Sequence, residues 1–186
     1  MGLPYFMLTG RRANAESFEI LAMPMLGSLY NFAHWLTQNR EEAEDLVQET
    51  YLKALKGFAS FQQGTNFRAW MYRILRNSFL TSRAGLSAKM TVPLDAEDDA
   101  ALLPVTSDTP ESVLLARADQ QVVQNAIEQL PVAFREVILL CDIEEMSYQE
   151  IAETLGIPIG TVMSRLSRAR KSMRESLATK VHGASK

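Results

Sequence analysis

The 186-residue chain is 47% hydrophobic and 22% charged, with a formal net charge of −3. That balance suits ordinary globular lobes and excludes a generic polyanion binder, so any nucleic-acid contact must come from local basic surfaces. No run of eighteen apolar residues is present to cross a bilayer, and the single cysteine, Cys141, rules out an intrachain disulfide and suits a reducing cytoplasm.

Met1-Gly2-Leu3-Pro4-Tyr5-Phe6-Met7-Leu8 is apolar but short, and it lacks the basic flank of a secretory signal. Residues 1–15 therefore read as a flexible tail or an extended start, with no membrane insertion. From Phe18 to about Leu36 the sequence is rich in Leu, Met and aromatics, which predicts a core helix or a helix pair broken near Pro24. The next helix, Glu41 to Gly57, is more telling. Ala43, Leu46, Val47, Thr50 and Ala54 form its buried stripe, and Asp45, Gln48, Glu49, Leu52 and Lys56 lie opposite. A leucine ringed by Asp, Gln and Glu suits a protein-binding face that calls for a basic partner helix. A solvated face with one stray leucine has the same pattern.

The third helix, Asn66 to Arg83, carries Arg68, Arg73, Arg76 and Arg83 and no acidic residue. Trp70, Tyr72 and Asn77 lie among the arginines, and the loop before it offers Phe58 and Phe61. Basic groups interleaved with aromatics suit single-stranded nucleic acid, where charge tracks the backbone and rings stack on unpaired bases. For Phe67 and Trp70, core packing is the simpler reading. Residues 85–110 hold one basic and five acidic side chains and no helical period, as expected of an acidic flexible linker. Thr109 and Pro110 then suit the N-cap and first residue of a new helix. No β pattern appears. The expected fold is all-α, with two small helical domains at 16–84 and 111–180 and a short tail at 181–186.

In the second domain, Cys141 closes the apolar run Val137-Ile138-Leu139-Leu140 and is expected to be a buried, inert thiol. Two helices joined by a tight turn follow at 147–166. Ser147 and Glu150 fit a capping box, Ile151 and Leu155 an apolar stripe, Gly156 a left-handed helix end, and Pro158 a restart. Val162, Leu166, Ala169, Met173 and Leu177 mark the buried face of the last helix, and Thr161, Ser164, Arg165, Arg168 and Lys171 fall roughly opposite. Residues 159–174 hold five basic side chains and no acidic one. This is a helix-turn-helix pattern whose second helix suits a DNA major groove: short hydroxyls near its start for base edges, arginines for phosphates. Taken alone, the helix also fits the weaker reading of a surface helix with a solvated basic face, which the capped helix and Gly turn before it disfavour.

His34, His182 and one cysteine make no plausible zinc site or Cys–His pair, and no phosphate-binding glycine loop is present, so neither enzymatic activity nor a cofactor or metal is expected. Two motifs carry a resemblance. Glu44-Asp45-Leu46-Val47-Gln48-Glu49-Thr50-Tyr51, followed by Asn66-Phe67-Arg68-Ala69-Trp70-Met71-Tyr72-Arg73-Ile74-Leu75-Arg76-Asn77, resembles region 2 of bacterial RNA polymerase sigma factors. Ser147-Tyr148-Gln149-Glu150-Ile151-Ala152, with Gly160-Thr161-Val162-Met163-Ser164-Arg165-Leu166-Ser167-Arg168-Ala169-Arg170, resembles their region 4. A short chain with these two regions is similar to the extracytoplasmic-function (ECF) class of the sigma-70 superfamily.

The resemblance implies a transcription initiation factor whose partners are core RNA polymerase, through its β′ clamp helices and β flap, and promoter DNA. It implies that Asp45, Gln48, Glu49, Leu52 and Lys56 dock on the polymerase. It further implies that Phe61, Asn66, Trp70, Arg73, Arg76 and Asn77 melt and capture the −10 element, and that Thr161, Ser164, Arg165, Arg168 and Lys171 read the −35 element. The linker would thread toward the polymerase active site and RNA exit channel. The end of the third helix, Thr81-Ser82-Arg83-Ala84-Gly85, is less basic than the usual pattern. Gly64-Thr65-Asn66 and Pro158-Ile159-Gly160-Thr161-Val162-Met163-Ser164-Arg165 resemble sigma factors held by zinc-binding, redox-sensitive anti-sigma factors. Two other classes fit parts of the sequence: a helix-turn-helix regulator would explain residues 111–180 alone, and a sigma-like decoy would titrate an anti-sigma factor without reading promoters.

Overall fold

The computed structural model describes residues 16–62, 64–87 and 115–183, and the chain divides into two compact units between Pro93 and Leu94. Among the described residues every regular element is helical. The expectations for residues 1–15, for the tether from 88 onward with its Thr109–Pro110 helix start, and for residues 184–186 lie outside the described residues. Residues 85–87 and 181–183, expected in the linker and the tail, instead continue helices.

The first unit comprises α1 (16–22), a 3-10 turn Met23–Met25, α2 (Leu26–Thr37), α3 (Arg40–Gly57), a 3-10 turn Phe58–Ser60 and α4 (Phe67–Ser87). Pro24 sits at the start of the first 3-10 turn, where its missing N–H breaks the apolar run into two helices as the sequence predicts. Gln38 ends α2 in the left-handed conformation, and Asn39 opens α3 by accepting a hydrogen bond from the Glu42 amide at 3.1 Å. Glu41 and Glu42 then lie in the first turn of α3, where negative charge favours the helix dipole. Leu29, Phe32 and Leu36 of α2, Leu46 and Val47 of α3, and Met71, Tyr72, Leu75 and Phe79 of α4 fill the core. The expected α3 stripe is buried in full. Thr50 is tolerated there because its hydroxyl donates to the Leu46 carbonyl at 2.7 Å. Tyr51 ties α3 to the end of α1 through a hydroxyl bond to the Ala22 carbonyl at 2.6 Å.

The second unit comprises α5 (Leu115–Glu128), α6 (Val132–Ile138), a π-helical turn Leu139–Ile143, α7 (Tyr148–Leu155) and α8 (Ile159–Gly183). Its core is aliphatic: Leu130, Val137, Ile138, Leu139, Leu140, Ile151, Leu155, Val162, Leu166 and Ala169 are buried. Arg135 is buried among them because its guanidinium donates to the carbonyls of Ile127, Glu128 and Leu130, at and just past the end of α5. The capping box forms as written, with Ser147 Oγ accepting from the Glu150 amide and the Glu150 carboxylate accepting from the Ser147 amide. Gly156 adopts φ +66, the left-handed end that the sequence calls for.

Candidate functional site

On α3, Asp45, Gln48, Glu49, Leu52 and Lys56 are all exposed, and the Leu52 side chain is 59% accessible. The face is less acidic than its sequence suggests. Glu49 is paired with Lys53 at 2.6 Å, and Lys53 also donates to Ser78 of α4 at 2.9 Å. Leu55, which sequence reasoning missed, is exposed as well and sits beside Leu52 on the helix surface. Its three-residue spacing from Leu52 was the available signal. The surface is therefore a short apolar ridge with carboxylates on one flank.

Around the start of α4, the rings of Phe18, Phe58, Phe61, Phe67 and Trp70 pack on one another. Phe61 stacks on Phe58 at a centroid distance of 6.0 Å and tilts against Trp70 at 4.9 Å. Phe67 meets Phe18, Phe58, Phe61 and Trp70. Phe61 and Trp70 are half-buried, so each joins the packing while keeping an edge toward solvent. Core packing thus describes much of Trp70. Asn66 is the N-cap of α4, its Oδ1 accepting from the Ala69 amide at 3.0 Å. Further along α4, Arg73 and Asn77 are exposed, Arg76 is half-buried, and exposed Leu80 lies on the same stripe. Arg68 lies over the Tyr72 ring and Arg83 over the Phe79 ring, so two of the helix's arginines lean on its own aromatics. The structure sets a ring cluster at the start of α4 and a basic stripe along that helix, next to the turn at Gly64.

On α8, Val162, Leu166 and Ala169 are buried, while Ser164 and Lys171 are exposed and Thr161, Arg165 and Arg168 half-buried. The five residues singled out by the sequence share one side of the helix. Ser164 Oγ donates to the Thr161 carbonyl at 3.1 Å, which fixes the hydroxyl as an outward acceptor. Ile159 and Met163 are exposed as well, away from this side by helical spacing. Arg170 is not part of it. Its guanidinium donates to Asp142 at 2.7 Å and lies 3.5 Å from Cys141 Sγ, joining α8 to the π-helical turn. That bond to Asp142 raises the guanidinium pKa well above its ordinary value, with partial burial pulling the other way. Cys141 is half-buried rather than buried. Its thiol pKa is pushed up, first by burial and then by Asp142, which disfavours the nucleophilic thiolate.

A family model described as Sigma-70 region 2 matches residues 21–87, and one described as Sigma-70, region 4 matches residues 120–173. The chain is 35% identical over 179 residues to the ECF RNA polymerase sigma factor SigE of Mycolicibacterium smegmatis, covering 95% of this chain and 68% of that one. It is 30% identical over 174 residues to the ECF RNA polymerase sigma factor SigW of Bacillus subtilis, covering 90% and 92%. Among solved structures, the sigma factor RpoE in complex with the anti-sigma factor NepR from Bartonella quintana superposes with a TM-score of 0.68 at 30% identity, covering 88% of this chain and 98% of that one. CnrH, solved with the cytosolic domain of CnrY, has the same fold, with a TM-score of 0.65 at 23% identity over 92% and 94% of the two chains. Among the described residues no helix is long and apolar enough to cross a membrane. The helix-turn-helix, the ridge on α3 and the ring-flanked basic helix α4 thus sit where two family regions match, and the chain belongs to the sigma-70 family as an ECF sigma factor, a protein that directs RNA polymerase to promoters.

Proposed function

We propose that the two units divide promoter recognition between them. The lobe over 16–84 docks on core polymerase and opens the −10 element, and the lobe over 111–180 reads the −35 element. The exposed Leu52 on an otherwise polar, partly acidic α3 carries this reading, since an apolar centre rimmed by carboxylates suits a basic, partly apolar helix such as the β′ clamp helices offer. Asp45, Gln48, Glu49, Leu52 and Lys56 make that contact, with Leu55 extending it. Arg73, Arg76 and Asn77 track the non-template strand, and the exposed edges of Phe61 and Trp70 offer a stacking surface for a flipped base. Asn66 acts chiefly by fixing the start of α4. Thr161, Ser164, Arg165, Arg168 and Lys171 enter the −35 major groove, and the β flap holds the second lobe in place. The factor makes and breaks no covalent bond; catalysis belongs to the polymerase, in the cytoplasm.

An anti-sigma factor is the further partner. The 30% identical RpoE structure is a complex with one, which supports this reading for the present chain. The 64–66 and 158–165 segments favour a zinc-binding, redox-sensitive member of that class. A net charge of −3 gives weak long-range attraction to DNA, so polymerase must supply affinity and alignment. Run-off transcription and gel shifts, with and without purified core polymerase, test the reading. Sequence-specific duplex binding by the free chain at physiological salt would identify a conventional regulator instead. Binding to an anti-sigma factor with no transcript from any promoter would identify a decoy.

A further inference from the structure

Helix α1 is apolar on two opposite sides. Phe18 and Ala22 face the core and are buried. Around the other side, Ile20 is 75% and Met23 52% accessible. Glu16, Glu19, Ile20 and Met23 follow the spacing of a single helical stripe, and with Pro24 they line a groove of about 530 Å³. Ile20 and Met23 thus form an exposed apolar pair beside two carboxylates, a combination that calls for a partly apolar, cationic occupant. Neither the α3 ridge nor α4 uses this surface.

We infer that the occupant is the chain's own N-terminal segment, residues 3–12, which lies outside the described residues. Leu3-Pro4-Tyr5-Phe6-Met7-Leu8 supplies apolar and aromatic side chains for Ile20 and Met23, and Arg11 and Arg12 supply the charge that Glu16 and Glu19 lack. No acidic residue lies between Leu3 and Ala15 to oppose the pairing. The reach is adequate. A tether from Leu8 to Glu16 spans roughly 15–17 Å root-mean-square, and the groove extends only about 10 Å along α1 from Glu16 to Met23. Tethering at this range gives an effective concentration on the order of millimolar. A groove of only ~0.1 mM intrinsic affinity would then be about 90% occupied in cis. The segment therefore competes with any basic, apolar peptide presented to α1 by another protein.

Methionine-methyl NMR on the full chain tests this without altering the groove, with the Met23 signal assigned by Met23→Leu. The expected result is cross-relaxation between the Met23 ε-methyl and the Tyr5 and Phe6 ring protons. Phe6→Asp should abolish it, and Arg11→Glu with Arg12→Glu should weaken it, while methyl signals of the second unit stay in place. A Met23 shift unchanged by Phe6→Asp, with no contact to either ring, overturns the inference. So does contact seen only between differently labelled molecules in a mixed sample, which would assign the groove to a second copy.

Discussion

Around Phe18 the first unit is held by rings: Tyr51, Phe58 and Phe67 meet it edge to face at centroid distances of 5.3–6.2 Å. The second unit has no such cluster among its described residues and depends instead on polar closures of the backbone. Arg135 donates to three carbonyls at and just past the end of α5, the capping box fixes α7, and a side-chain ion pair from Arg170 to Asp142 joins α8 to the π-helical turn before α7. Ring packing is broad and tolerant of surface change, which suits a lobe that presents several faces. Backbone closures are directional, and they fix the angle of a helix that must enter a groove. Single polar substitutions should therefore matter more in the second unit than in the first.

The sharpest way to break that contrast is a pair of core substitutions. Phe58→Ala removes a buried ring from the first unit, at a cost of roughly 3–5 kcal/mol. Arg135→Met removes the guanidinium's three hydrogen bonds to the Ile127, Glu128 and Leu130 carbonyls in the second, at a cost of about 3 kcal/mol or more. Both tryptophans, Trp35 and Trp70, lie in the first unit. Urea unfolding followed by tryptophan fluorescence thus reports the first unit, and far-UV circular dichroism reports both. Arg135→Met should move an early dichroism transition and leave the fluorescence midpoint in place, and Phe58→Ala should do the opposite. Equal shifts in both signals for either variant would mean that the units unfold together.

Removing the α3 ridge is the next largest effect, and it should leave both unfolding transitions untouched. Truncating the centre of a docking patch typically costs ~2 kcal/mol or more. Leu52→Ala with Gln48→Ala should weaken core-polymerase binding about thirtyfold. Titration of labelled protein against core enzyme measures it, and unchanged affinity would remove α3 from the interface.

The elements that follow simple periodicity were readable from the residues. The α3 stripe, the break at Pro24, the capping box and the glycine end of α7 are local patterns, and each formed as its spacing requires. What escaped the sequence depends on distant partners. Leu55 looked like one more apolar residue until the fold left it uncovered. The Glu49–Lys53 pair is the exception, a local four-residue spacing that the sequence does carry. Arg170 counts as one of five basic residues on α8, and helical spacing already sets it off the reading side, but no local rule predicts its pairing with Asp142 so far back in the chain. Trp70 and Phe61 serve packing and surface at once, so composition could not assign them to either. The buried Arg135 was invisible because a charged residue in an apolar stretch reads as a break in the stripe.

A finer contrast lies within α8. Arg165 stands nearer the helix start than Arg168, so Arg165 is expected to read a base and Arg168 a phosphate. Losing a base contact costs roughly 1–3 kcal/mol and relaxes preference at one position, whereas losing a phosphate contact weakens all sequences alike and lowers the salt dependence. Competition between cognate and scrambled −35 sites, using holoenzyme, separates the two. Equal weakening of both sites by Arg165→Ala would reverse the assignment.

The smallest expected effect concerns alkaline pH and again distinguishes the units. The Cys141 thiol pKa is raised in the folded chain by burial and by Asp142, against the lowering influence of Arg170. A group whose folded pKa lies above its unfolded value contributes stability that is fully present below the unfolded pKa, about 9 for this thiol, and is lost as pH rises through the folded value. The second unit should thus begin to weaken as pH climbs past about 9. In the first unit the equivalent group is Tyr51, whose phenol is raised by burial from an ordinary value of 10.0, so its decline should start at higher pH. Urea midpoints read by circular dichroism should therefore fall with pH before the fluorescence midpoints do. Cys141→Ser should flatten the first decline and leave the second unchanged. A decline that persists in Cys141→Ser would move the titration to another group and leave the thiol without a part in the second unit's pH response.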